Sequence, residues 1–152
     1  MDINITKIKI IFLADDDADD CSFFEEALND LNISTELIIA NDGIELMANL
    51  EKVAEPPPPD IIFLDLNMPR KNGFECLAEI RQHPKFKEIP IVIFSTTDNN
   101  EMVDKTYNGG ANLYVRKPSS HARLKEIIET VLGIEMWKQP TTTPRSKFLL
   151  TF

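Results

Sequence analysis

The stretch Ile61-Ile-Phe-Leu-Asp-Leu-Asn-Met-Pro69 decides how the rest of the chain is read. It opens with four apolar residues and no polar interruption, as expected of a parallel strand covered on both faces. The run halts at a carboxylate, Asp65, and Pro69 then marks a tight turn. Working outward, residues 8–14, 36–40, 91–94 and 113–115 are short apolar runs of the same kind and read as four further strands. Helix-period segments lie between and after them. Their apolar faces are Cys21, Phe24, Leu28 and Leu31; Ile44, Met47 and Leu50; Phe74, Leu77, Ala78 and Ile80; Met102, Val103, Thr106 and Tyr107; and Leu124, Ile127, Ile128, Val131 and Leu132. The order βαβαβαβαβα implies an α/β fold with a doubly wound parallel sheet, and right-handed crossovers leave few topologies.

Local signals agree with these boundaries. Asp42-Gly-Ile-Glu45 and Asp98-Asn-Asn-Glu101 have the pattern of capping boxes, and Pro118-Ser-Ser120 opens the last helix. Pro56-Pro-Pro-Pro59 is a stiff spacer before the third strand. After Gly133 the periodicity dissolves, so residues 1–132 are expected to form one domain and residues 133–152 an extended, exposed tail ending in the apolar Phe148-Leu-Leu-Thr-Phe152.

Composition narrows the function. Asp and Glu number 25 against 16 Lys and Arg, a net charge of −9, which disfavours direct contact with nucleic acid or an anionic membrane. No apolar run approaches the roughly 20 residues that span a bilayer, and Met1-Asp-Ile-Asn-Ile-Thr lacks the features of a secretion signal. Two cysteines, Cys21 and Cys76, are too few for a disulfide framework and read as reduced packing residues. The expectation is a cytoplasmic single-domain protein.

The chemistry is concentrated at the strand ends. In an open parallel sheet, ligands bind beyond the carboxyl ends of the strands. The first strand ends in Asp15-Asp16-Asp17, the third in Asp65, the fourth in Ser95-Thr96-Thr97 and the fifth in Arg116-Lys117-Pro118. Clustered carboxylates suit a hard divalent cation such as Mg2+. A Lys point charge and a Ser hydroxyl suit the oxygens of a transferring phosphoryl group. Asp65, just before a tight turn, is the candidate nucleophile for an aspartyl phosphate, and Asp15 and Asp16 are candidate metal ligands. Asp17, Asp19 and Asp20 read as caps at a helix N-terminus.

At these positions the sequence resembles the response-regulator receiver domain of two-component signalling. The residues that carry the likeness are Phe12-Leu-Ala-Asp-Asp16, Leu64-Asp-Leu-Asn-Met-Pro69 with Gly73, Ile91-Val-Ile-Phe-Ser95 and Tyr114-Val-Arg-Lys-Pro118. The resemblance implies a flavodoxin-like (βα)5 fold with strand order 2-1-3-4-5, an order that is also the known arrangement of the chemotaxis receiver. It implies Mg2+ held by Asp15, Asp16, Asp65 and the Asn67 backbone carbonyl. It further implies phosphotransfer from a histidine kinase or phosphotransfer protein to Asp65, Lys117 as the phosphoryl-pairing lysine, and Ser95 and Tyr114 as switch residues. In the family their movement alters the face built from the fourth helix, fifth strand and fifth helix, through which a downstream protein is contacted. Thr96 stands where a smaller residue is common, and neither Asn67 nor Thr97 is an evident general base. About 20 residues follow the receiver, too few for an output domain, so a stand-alone regulator is expected, phosphorylated once rather than turning over substrate. The tail is expected to dock on a partner, to dock on a second copy of the chain, or to stay disordered.

Three other readings use the same residues. Asp15, Asp17, Asp19 and Glu26 imitate a calcium-binding loop, but Asp20 stands where that loop needs glycine. An aspartyl-phosphate phosphohydrolase would need a second Asp where Asn67 stands. A receiver that never takes phosphate would not need the complete set of site residues.

Overall fold

The computed structural model describes residues 10–52, 58–134 and 143–151. The elements alternate as β1 (Ile10–Ala14), α1 (Ala18–Asp30), β2 (Glu36–Ala40), α2 (Gly43–Lys52), β3 (Ile61–Leu64), α3 (Gly73–Gln82), β4 (Ile91–Ser95), α4 (Asn100–Asn108), β5 (Leu113–Arg116) and α5 (His121–Leu132). A 3-10 turn (Arg145–Lys147) and β6 (Leu149–Leu150) follow. All strand pairs are parallel, in the order β2-β1-β3-β4-β5-β6. The flavodoxin-like order expected from the sequence is therefore present, with one strand added at its edge.

The twofold alternation of a strand divides the core into two layers. Phe12, Ile62, Leu64, Ile91, Ile93 and Tyr114 face Leu46, Leu50, Leu77, Ile80 and Val103 of α2, α3 and α4. Ile11, Leu13, Ile61, Phe63, Val92, Phe94, Leu113 and Val115 face Phe24, Leu28, Leu124 and Ile128 of α1 and α5. Phe24, Phe63 and Phe94 meet edge-on, with centroids 4.9, 5.9 and 6.1 Å apart. Every residue of β3 is buried, which explains its unbroken apolar run, whereas β2, at the sheet edge, exposes Glu36.

Three local expectations are corrected. In α2 the buried face is Gly43, Leu46, Met47 and Leu50 rather than one starting at Ile44, which is 44% exposed. Gly43 presses on the Lys71 carbonyl, where a Cβ would sit 2.2 Å away, and this close approach fixes the rotation of the helix. In α3, Cys76 is buried and Ala78 exposed. Ahead of α4 the cap is Asn99, which accepts the Met102 N–H at 2.9 Å; the helix begins one residue later than a box at Asp98 requires. A reciprocal box forms instead at Asn72 and Glu75.

The expectation of an exposed tail is corrected at residues 143–150. Thr143 and Phe148 are buried, and Leu149 and Leu150 stand in register with Tyr114 and Val115. Without this segment β5 would present an unpaired edge and Phe148 an unburied ring, so both are satisfied by one docking event. Residues 135–142, which include Thr141 and Thr142 of the predicted extended stretch, and Pro56 and Pro57 of the proline run lie outside the described residues.

Candidate functional site

Parallel pairing sets the first carboxylates. The Asp15 N–H donates to the Ala40 carbonyl at 3.0 Å and the Asp65 N–H to the Ala14 carbonyl at 2.9 Å, so each ladder continues one residue past its strand. This delivers both side chains to the same rim of the sheet. Asp15 and Asp65 are buried there, and Asp16 is exposed beside them. One oxygen from each of the three lies within 4.8 Å of the others.

The loop after Asp65 is held against the site by its own backbone. The Gly73 N–H donates to the Leu66 carbonyl at 3.0 Å. A Cβ on Gly73 would meet the Asp65 carbonyl oxygen at 2.3 Å, so only glycine lets α3 start so close to the acid. Arg70 takes a left-handed φ of 66° in the intervening turn, and Asn67 is exposed with its N–H hydrogen-bonded to Asp65.

Lys117 comes in from the end of β5. Its N–H donates to the Ser95 carbonyl at 2.8 Å, and its Nζ reaches Asp15 at 2.7 Å, Asp20 at 2.9 Å and Asp65 at 3.5 Å. Ser95 is fully buried at the end of β4, and its hydroxyl accepts the Thr97 N–H at 3.4 Å. Tyr114 is also fully buried and donates its hydroxyl to the Thr97 carbonyl. Burial raises the Tyr114 pKa, and the neighbouring Ser95 hydroxyl opposes the rise.

The electrostatics are dominated by burial. The Asp65 carboxyl is pushed up to about 6 by desolvation; Lys117 pulls against the rise and the Asp15 charge adds to it. Asp15 is raised by burial despite its hydrogen bond with Lys117. Burial works to lower the Lys117 pKa, yet hydrogen bonds to Asp15 and Asp20 and the charge of Asp65 lift it above its ordinary value. One ammonium thus serves three carboxylates, and Asp65 has the weakest share of it. A compact, all-oxygen donor set with excess negative charge fits a hard divalent cation.

The response regulator receiver domain family model matches residues 11–129. The chain belongs to the response-regulator receiver family. Response regulator Rcp1 of Synechocystis sp. is 39% identical over 140 residues, which covers 90% of this chain and 93% of that protein. Chemotaxis protein CheY1 of Helicobacter pylori is 33% identical over 98 residues, covering 64% of this chain and 77% of its own. Two solved structures are similar over 90% of this chain and 99% of theirs. The phosphorylated cyanobacterial phytochrome response regulator RcpA has a TM-score of 0.76 at 36% identity. The Mn2+-bound form of response regulator Rcp1 has a TM-score of 0.73 at 35% identity. Receiver domains are phosphorylated on an aspartate, and the fold of this one matches that of its relatives. Among its described helices none is long and apolar enough to cross a membrane.

Of the side chains singled out in the sequence of this receiver, Asp15, Asp16, Asp65 and Lys117 meet at one rim; Ser95 ends the adjoining strand with its carbonyl on the Lys117 N–H, and Tyr114 connects to it through Thr97. Asp17 caps α1 as expected, accepting the N–H groups of Asp19 and Asp20 at 2.9 and 3.1 Å. Asp20 does more than the sequence indicated. It sits in the first turn of α1 and turns toward Lys117, a residue 97 positions away, so no local pattern could have disclosed the pair.

Proposed function

We propose that this receiver takes a phosphoryl group onto Asp65 from a phosphohistidine of a histidine kinase or phosphotransfer protein, in the cytoplasm. The observation that carries the reading is the state of Asp65: a buried carboxylate, 3.5 Å from an ammonium, with oxygens of Asp15 and Asp16 beside it. In the transfer an Asp65 oxygen attacks phosphorus. The P–N bond to the donor imidazole breaks, and its electron pair leaves with the nitrogen, which is neutral once protonated. Lys117 supplies a fixed positive charge for the phosphoryl oxygens, and Ser95, at the end of β4, supplies a hydroxyl donor.

Asp15, Asp16, Asp65 and the Asn67 carbonyl would hold Mg2+, which when bound neutralises the carboxylate excess and the incoming phosphoryl charge. The side chains of Asn67 and Thr97 are not bases at neutral pH, which supports slow self-hydrolysis and a separate phosphatase. Output then passes to a protein partner through the α4–β5–α5 face, where β6 occupies the β5 edge and Phe148 and Arg145 lie against α4, so a partner meets the C-terminal segment as part of that face.

Incubation with Mg2+ and acetyl phosphate is expected to add one phosphoryl group per chain, and Asp65→Asn is expected to abolish it. Undiminished labelling of that variant, or many-cycle turnover of a phosphate ester, overturns the assignment.

A further inference from the structure

The segment read from sequence as a tail lies directly against Tyr114. The Tyr114 N–H donates to the Phe148 carbonyl at 2.9 Å, and Tyr114 stands in register with Leu149. The Phe148 ring is fully buried and meets the Tyr107 and Tyr114 rings edge-on, at 5.1 and 6.2 Å. Beyond Tyr114 the contacts continue without a gap: its hydroxyl holds the Thr97 carbonyl, the Thr97 N–H reaches the Ser95 hydroxyl, and the Ser95 carbonyl holds the Lys117 N–H.

We propose that Phe148 is a positioning residue for the phosphorylation site, acting through Tyr114 on the turn that carries Ser95. The inference rests on the reading of Asp65 as phosphoryl acceptor. A tyrosine on a strand at the margin of a sheet has a route to solvent on its outer side. In this chain β6 and Phe148 close that route, so the inward rotamer and its bond to Thr97 are held by packing. Removing the Phe148 ring opens space beside Tyr114, frees the aromatic to swing out, breaks the bond to Thr97 and loosens the Ser95 hydroxyl.

The segment is also fastened by the β5–β6 pairing, by Leu149 and Leu150 packed against the core and by buried Thr143, whereas its charged contact is weak. Arg145 pairs with Asp104 at 2.8 Å and lies 5.9 Å from the Tyr107 ring centroid, with both charged side chains about half exposed. Phe148 is the large side chain of the segment that is fully buried and touches Tyr114, and the segment can respond to the site as well as act on it. Coupling between two sites is reciprocal. Whatever factor docking contributes to the stability of the phosphorylated form, phosphorylation returns to docking. The Tyr114 amide hydrogen, bonded to the Phe148 carbonyl, reports docking directly.

The test uses the full chain with Mg2+ and acetyl phosphate. Phe148→Ala is expected to lower the steady-state phosphorylated fraction about fivefold, at the modest end of measured couplings, and Phe148→Leu to recover most of it. In a Tyr114→Phe background, which keeps the ring and loses the hydroxyl, adding Phe148→Ala is expected to change the fraction less than about twofold, because the path is already cut. Phosphorylation of the wild-type chain is expected to slow exchange of the Tyr114 amide hydrogen. Should Phe148→Ala fail to fold, Arg145→Glu keeps the ring, sets a carboxylate against Asp104, and is expected to lower the fraction in the same direction. A folded Phe148→Ala that is phosphorylated like wild type, or an equal loss in the Tyr114→Phe background, overturns this inference alone. A wild-type chain that takes no label overturns both it and the acceptor role of Asp65.

Discussion

Removing the Asp65 carboxylate should stabilise the metal-free protein. Burial lifts this group from its ordinary value of 3.8 to about 6. A folded-state pKa above the unfolded one means that the native state binds the proton more tightly, so stability falls as pH rises through this interval. The penalty is small below pH 4, where both states are protonated, and complete above pH 6. Two pH units correspond to about 3 kcal/mol at pH 7.5, falling to about 1 kcal/mol at pH 4.5. Asp65→Asn escapes this penalty, in which the long 3.5 Å attraction to Lys117 is already included, since that ammonium is engaged mainly by Asp15 and Asp20. A gain of about 3 kcal/mol should raise Tm by about 6–12 °C in a chain of this size. Thermal melts in EDTA at pH 7.5 and 4.5 measure it, with the advantage shrinking at the lower pH. Mg2+ should then erase the difference: at a hundredfold over Kd, binding stabilises the wild-type protein by about 2.7 kcal/mol, and the variant has lost a ligand. An Asn variant no more stable than wild type at pH 7.5 without cation, or equally advantaged at both pH values, would refute the reasoning.

Two further outcomes are expected. Gly73→Ala places a Cβ 2.3 Å from the Asp65 carbonyl and 2.8 Å from the Leu66 Cα, so backbone must move; a loss of about 2 kcal/mol, seen as a lower Tm, should accompany slower labelling by acetyl phosphate. The buried Cys21 and Cys76 thiols are both pushed up to about 12 by desolvation, so native protein at pH 8 should resist iodoacetamide and react at both once unfolded, as peptide mass spectrometry can follow.

The sheet was legible because each strand is short, apolar and ended by a polar residue, and because parallel connectivity places those ends on one rim whatever the loop lengths. That is why Asp15, Asp65, Ser95 and Lys117 could be grouped from four distant stretches. Residues whose roles depend on the rotation of a helix or on a tertiary partner were not legible in the same way. Ile44 fits an apolar stripe as well as Leu46 does; the close approach of Gly43 to Lys71 decides between them. Asp20 carries no mark that separates it from the helix-capping Asp17. Leu149-Leu150 is too short for a periodic signal, and only the vacant edge of β5 gives it a place.

The division of Lys117 among its partners bears on reactivity. An ammonium held tightly by Asp65 would lower the proton affinity of that carboxylate and, with it, the tendency of its oxygens to attack phosphorus. Here Asp15 and Asp20 take the short contacts, and Asp65 is left as the buried anion with the least compensation. In the proposed transfer its charge is therefore poorly stabilised before reaction, and bond formation to phosphorus spreads that charge onto oxygens that the Lys117 ammonium, and a cation held by the carboxylates, would stabilise. The surplus of acids at the rim acts in the same direction. It makes the carboxylate cluster unfavourable by itself and divalent-cation binding favourable. With Asp65 as the proposed acceptor, the buried environment that makes it costly to the fold also favours its reaction, and the two properties should rise and fall together as this rim is altered.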